Sequence, residues 1–276
     1  MNDKLISVVI NLDSRPGFLE KDTRAEVMSK GTRSIDYFTD GVINKIEFFN
    51  GFNVEVIVFI DQHEQVPTNV INFLLEKADG VVFSKHREFF DKYIYFPKWN
   101  DINFLHALML ARGSYIAHFD ADMAAFCKDQ SIIREWIDLL DNNVYDYISY
   151  PSKYSPRAVN DPDFDYMWAS TRFFLCKQGT IPYDEVLTCI KSSEYLYRRY
   201  GDRKRKCPWL EHILGLISGK VFYPPMQNDR ALIFSWHNYK GGTYSFLKNK
   251  SYDEIKTLID GKGGISYPCD VENLID

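Results

Sequence analysis

Apolar residues along this chain fall into short unbroken runs alternating with stretches of helical spacing. Leu5 to Leu12 is a Val/Ile-rich run closed by Asp13-Ser14-Arg15-Pro16-Gly17, which predicts a strand followed by a turn. Ile35, Phe38, Val42, Ile43, Ile46 and Phe49 then recur with the helical period, and Gly51 stands just past the end. Val54 to Ile60 predicts a second buried strand, ending at Asp61. Thr68 is the expected cap of a helix carrying Val70, Ile71, Leu74 and Leu75, with Gly80 as its stop. Gly80 to Phe83 reads as a third short strand, and Ile102, Leu105, Leu108 and Met109 mark a helix closed by Arg112-Gly113. A fourth apolar run, Tyr115 to Phe119, follows.

Strands apolar on both faces, alternating with helices, predict an α/β domain: a mostly parallel sheet with helices on both sides. Ligands of such sheets gather at the carboxyl ends of the strands, where Asp13, Asp61, Asp120 and Asp122 all fall. Beyond Asp122 the alternation loosens. Ser131 opens a helix with Ile132, Ile133, Trp136, Ile137 and Leu140, a strand is expected near Tyr145 to Tyr150, and Pro151 to Tyr166 is irregular. Phe173 to Leu175 reads as a strand, Tyr183 to Tyr200 as a helix and Val221 to Tyr223 as a strand, with no internal repeat.

Asp120 and Asp122 carry the most chemistry. Side chains two apart on an extended segment share a face, so both carboxylates can address one object. Converging carboxylates repel unless a cation or proton lies between them. Oxygen ligands suit Mg²⁺ or Mn²⁺, ions commonly held by one or two carboxylates and the phosphates of a substrate. The plainer alternative is a pair of acids that merely solvates a strand end.

The 276 residues, 45% of them hydrophobic, suffice for a substantial core of one domain or two fused halves. A net charge of −5 does not imply a whole-surface affinity for nucleic acid, though it leaves room for a local basic patch. The start of the chain lacks the blocks of a signal peptide and no apolar run reaches membrane-spanning length, so a soluble protein without integral membrane contact is expected. Five scattered cysteines, none in Cys-x-x-Cys spacing, suggest neither a zinc site nor a disulfide framework and fit a reducing cytoplasm.

The segment "ARGSYIAHFDADM", residues 111 to 123, resembles the "ARGDYVAFLDADD" type of segment in GT-A nucleotide-sugar glycosyltransferases of the family-2 kind. The resemblance implies a single GT-A domain, Rossmann-like, with a nucleotide-sugar half (residues 1–125) and an acceptor half (126–276). It implies a metal-dependent transfer of sugar from a nucleoside diphosphate, UDP for preference, to an acceptor hydroxyl, a saccharide first of all. Mn²⁺ or Mg²⁺ would sit on Asp120 and Asp122. Asn11, Asp13 and Arg15 occupy the position of the family's first base-packing loop, Asp61 that of its base-contacting acid, and Ala121 lies between the two metal acids. Lys85, with Arg87, follows the third strand and can neutralise a diphosphate, or simply be solvated.

Trp209-Leu210-Glu211 resembles the family's "EDWEL"-like segment, which implies Glu211 as the base of an inverting enzyme. Asp184 and Glu185, also near a helix start, are rivals. His237, in a late aromatic loop, matches a histidine that some GT-A enzymes bring to the metal or diphosphate; packing among Trp236 and Tyr239 is its alternative. His118 reads as core. Arg203, Lys204 and Arg205, inside a basic run from Arg198 to Lys206 and close to Trp209, raise a phosphate-bearing or nucleic-acid acceptor against the ordinary reading of a solvated helix end. A retaining mechanism stays open. Two other classes remain: a sugar-nucleotide pyrophosphorylase, for which "NLDSRPGF" supplies one glycine where a Gly-rich loop is needed, and a noncatalytic carbohydrate-binding protein.

Overall fold

A computed structural model describes residues 4–13, 38–61, 66–84, 105–120, 123–149, 170, 172–191, 220–224, 228–235 and 247–261. The first strands are β1 (Ile6–Asp13), β2 (Val54–Asp61), β3 (Gly80–Ser84) and β4 (Tyr115–Asp120). Next come β5 (Met123–Cys127), β6 (Tyr147–Ser149), β7 (Phe173–Lys177), β8 (Val221–Phe222) and β9 (Ala231–Ser235). The helices are α1 (Asp40–Phe48), α2 (Thr68–Lys77), α3 (Ser131–Asp141), α4 (Tyr183–Lys191) and α5 (Tyr252–Gly261). Residues 105–109 are helical as well.

Seven strands form one sheet in the order β3-β2-β1-β4-β7-β6-β8. β1, β2, β3 and β4 are mutually parallel, β7 runs against β4 and β6, and β8 is parallel to β6, so the sheet is mostly parallel as the alternation predicts. The chain leaves β1 toward β2 and β3, then returns to lay β4 on the other side of β1, which makes the β1/β4 junction a topological switch point.

The strands are apolar on both faces because both are covered. Val8, Ile10, Val58, Ile60, Ala117, Phe119 and Phe173 meet α1, α2, α3 and α5 through residues such as Val42, Leu74, Trp136 and Ile255. On the opposite face Val9, Ile57, Phe59, Ile116 and Phe174 meet Leu105, Leu108 and Val186.

Several boundaries differ from expectation. Pro67 holds the cap position of α2 without a side-chain bond, and Thr68 lies inside the helix. Gly80 opens β3, whereas α2 ends at Lys77 with Ala78 extended behind it. Gly113 is not a left-handed helix stop; among the described glycines only Gly51 and Gly179 have positive φ. Its constraint is space: a Cβ there would lie 2.6 Å from the Leu5 carbonyl oxygen and 2.7 Å from Ser7 N.

That close approach belongs to a latch at the amino edge of the sheet. Glu55 on β2 is only 4% exposed. Its Oε2 accepts from Ser7 Oγ at 2.5 Å and Arg112 N at 2.9 Å, and its Oε1 from Arg112 Nε at 2.5 Å, while Gly113 N donates to Ser7 Oγ at 2.8 Å. Burial by itself pushes the Glu55 carboxyl up; the bonds from Ser7 and Arg112 outweigh it and hold the carboxyl below its usual range. A carboxyl depressed in the folded state stabilises fully above its unfolded pKa and loses that contribution as pH falls through the folded value. Glu55→Gln is therefore expected to cost about 1–3 kcal/mol at neutral pH. Urea unfolding at pH 7 and near pH 3 checks it: the gap to wild type narrows in acid, and a gap independent of pH contradicts the assignment.

Candidate active site at the carboxyl edge

At the carboxyl edge the registers decide what meets what. Asn11 on β1 is the partner of Asp120 on β4, and Asp13 is the backbone partner of Asp61. The switch point thus brings Asn11 and Asp120 side by side, with strand positions 13 and 61 one step further along.

Asp120 is held from several directions. Its backbone N–H donates to the Arg172 carbonyl at 2.9 Å. The preceding residue, Phe119, is buried on the other face, with ring centroids 4.8 Å from Phe173, 5.9 Å from Phe48 and 6.1 Å from Phe49. Strand alternation then turns Asp120 to the face of Val9 and Phe174. Its side chain is a third exposed, at 33%, and Oδ1 lies 3.3 Å from Nε2 of fully buried His118. An accessible carboxylate at a strand end offers the hard oxygen donor that Mg²⁺ or Mn²⁺ prefers. Among the described residues no three His, Cys, Asp or Glu side chains converge as a metal cluster.

After residue 122 the chain leaves the main sheet. β5 pairs antiparallel with β9 in a separate two-stranded sheet, a pairing the sequence reading missed. Asn44 of α1 closes the free side of β5: its Nδ2 donates to the Ala125 carbonyl and its Oδ1 accepts from Ala125 N, each at 2.9 Å. In this register Met123, next after Asp122, is the partner of Ser235, two residues before His237.

The expected residues Arg15, Lys85, Ala121, Asp122, Arg203, Lys204, Arg205, Trp209, Glu211 and His237 lie outside the described residues, and Asp13 and Asp61 are placed by their backbone alone. Asp184 and Glu185 are exposed in the first turn of α4. β7 runs from Phe173, beside Phe119, to Lys177, beside Tyr115, so α4 starts beyond the amino edge, opposite Asp120. That placement removes their claim as the base. His118, read from sequence as core, is core and also touches Asp120; the signal available was their i, i+2 spacing.

No protein-family model matches the sequence, and no curated protein is similar to it at the sequence level. Solved structures with a similar layout include the galactosyltransferase LgtC in complex with donor and acceptor sugar analogues, at TM-score 0.46 and 11% identity over 80% of this chain and 73% of that one. S. aureus TarS 1–349 is similar at 0.45 and 14% identity over 83% of this chain, which spans 60% of that fragment. A cytidylyltransferase from Leptospira borgpetersenii is similar at 0.45 and 13% identity over 94% of both chains. The likeness is one of overall layout. Among the described residues no helix is long and apolar enough to cross a membrane.

Proposed function

We propose that the chain is a metal-dependent GT-A glycosyltransferase, family-2-like, that moves a sugar from a nucleoside-diphosphate sugar to an acceptor hydroxyl with inversion. The observation that carries this reading is Asp120: an accessible carboxylate at the switch point of a mostly parallel sheet, opposite Asn11 and followed two residues later by a second acid. Ligands of such sheets lie at that position. The β5–β9 register supports His237 as a further contact, since the chain on either side of Met123↔Ser235 tethers residue 237 to the neighbourhood of Asp122.

In this reading Asp120 and Asp122 hold the cation, Mn²⁺ or Mg²⁺, with the diphosphate of the donor, UDP-linked for preference. A divalent ion there supplies Lewis-acid stabilisation of the charge developing on the leaving diphosphate. Asn11, Asp13, Arg15 and Asp61 address the nucleoside, while Lys85 and the Ala121 backbone lie toward the phosphates. Glu211 takes the proton of the acceptor hydroxyl, whose oxygen forms the new bond to the anomeric carbon as the bond to the diphosphate oxygen breaks. One in-line displacement inverts the centre. The acceptor is a saccharide hydroxyl, and the basic run through Arg203, Lys204 and Arg205 beside Trp209 provides for a phosphate-bearing one.

Asp120→Asn is expected to fold normally yet lose Mn²⁺-dependent affinity for UDP by more than about 100-fold, beyond what losing an outer partner of a ligand costs. Calorimetric titration checks it, and unchanged affinity contradicts the reading. Glu211→Gln should keep donor affinity and lower turnover by about 10²- to 10⁴-fold. Near-normal turnover would instead favour a retaining mechanism without such a base. Product analysis separates the rival nucleotidyl chemistry: a glycosyltransferase releases nucleoside diphosphate from its donor, a pyrophosphorylase sugar phosphate.

A further inference from the structure

We propose that His118 is a positioning residue for Asp120: its imidazole ties one carboxylate oxygen of Asp120 to the backbone of β1, so that the other oxygen is presented in a fixed direction. This rests on the reading of Asp120 as a ligand-holding residue.

The geometry is a chain of contacts across the switch point. His118 is the register partner of Val9, and its Nδ1 lies 2.9 Å from the Val9 carbonyl oxygen. A carbonyl oxygen can only accept, so Nδ1 carries the hydrogen and donates. The other ring nitrogen, Nε2, faces Asp120 Oδ1 at 3.3 Å. Both polar edges of the imidazole are thus committed, one to β1 and one to the carboxylate.

The ring itself cannot wander. Its side chain is 1% exposed against 33% for Asp120, and it packs on Phe174, its partner on β7, with ring centroids 5.5 Å apart. Packing alone does not call for a histidine: an aromatic hydrocarbon would fill this place without burying two polar atoms. The resembling segment carries Phe at the equivalent position, so the histidine is a departure of this chain. A carboxylate at a strand end otherwise samples its rotamers in solvent, and fixing it beforehand reduces the ordering cost of binding. Outer partners of metal-binding side chains act in this way.

Three variants separate the two bonds. His118→Phe removes both. His118→Asn keeps an N–H near the Nδ1 position and loses reach to Asp120, whereas His118→Gln places an amide N–H near the Nε2 position. The readout is calorimetric affinity for UDP with MnCl₂, with Asp120→Asn as reference and urea unfolding as the check on folding. Phe and Asn are expected to weaken binding by about 10- to 100-fold while Gln stays within about threefold of wild type. A ligand-free readout accompanies this: ¹⁵N spectra of the His118 ring should show Nδ1 protonated. Wild-type affinity in His118→Phe, a loss in Gln equal to that in Phe, or an unprotonated Nδ1 would each overturn the proposal while leaving the role of Asp120 intact. If Asp120→Asn also binds as wild type, the ligand-holding reading falls and this one falls with it.

Discussion

The pairing register of β1 with β4 fixes the chemistry of the molecule, because a slip by one residue would turn every side chain of β4 to the opposite face. His118 and Asp120 would then enter the aromatic packing around Phe48 and Phe173, and Phe119 would face the switch point. The register is pinned at the amino edge. Glu55 gathers donors from Ser7 on β1 and from Arg112 just before β4, and Gly113 fits against Leu5 and Ser7 only because it lacks a Cβ. At the carboxyl edge the same register sets Asn11 beside Asp120. A buried carboxylate at one end of the sheet thereby determines where an accessible one stands at the other.

Much of this was legible from residue patterns. Runs such as Val54 to Ile60 are too apolar for a half-exposed strand, and their alternation with helices leaves few layouts besides a mostly parallel sheet. Asp120 was legible for the same reason, being the first polar residue after a buried run. The small second sheet was not. Met123 to Cys127 is short and lacks β-branched residues, and its partner β9 is over a hundred residues away. Gly113 was misread because a glycine after a helical pattern suggests a left-handed stop, whereas a close backbone approach leaves no local trace. Asp184 and Glu185 looked competent until the antiparallel direction of β7 put the start of α4 beyond the far edge.

The second sheet matters for chemistry as well as for packing. Four acids near the carboxyl ends of one sheet make an edge that favours cations. A divalent ion with a diphosphate answers both that field and the reach of a strand-end carboxylate. By pairing Met123 with Ser235, β5 and β9 return a late segment of the chain to the exit of β4, so that residues from the two halves of the domain can share one ligand. Asn44, bonded in both directions to Ala125, holds that return against α1.

The most direct test of a diphosphate and metal site at this edge is a thermal-shift comparison of the full chain with UDP, GDP or CDP, each with and without Mn²⁺. Binding at a hundredfold excess over Kd stabilises by about 2.7 kcal/mol. In a protein of this size that corresponds to a rise in Tm of roughly 5–10 °C. The account predicts such a rise for at least one nucleoside diphosphate together with Mn²⁺, larger than the sum of the shifts from either alone. Additive or absent shifts across all three nucleotides would contradict it.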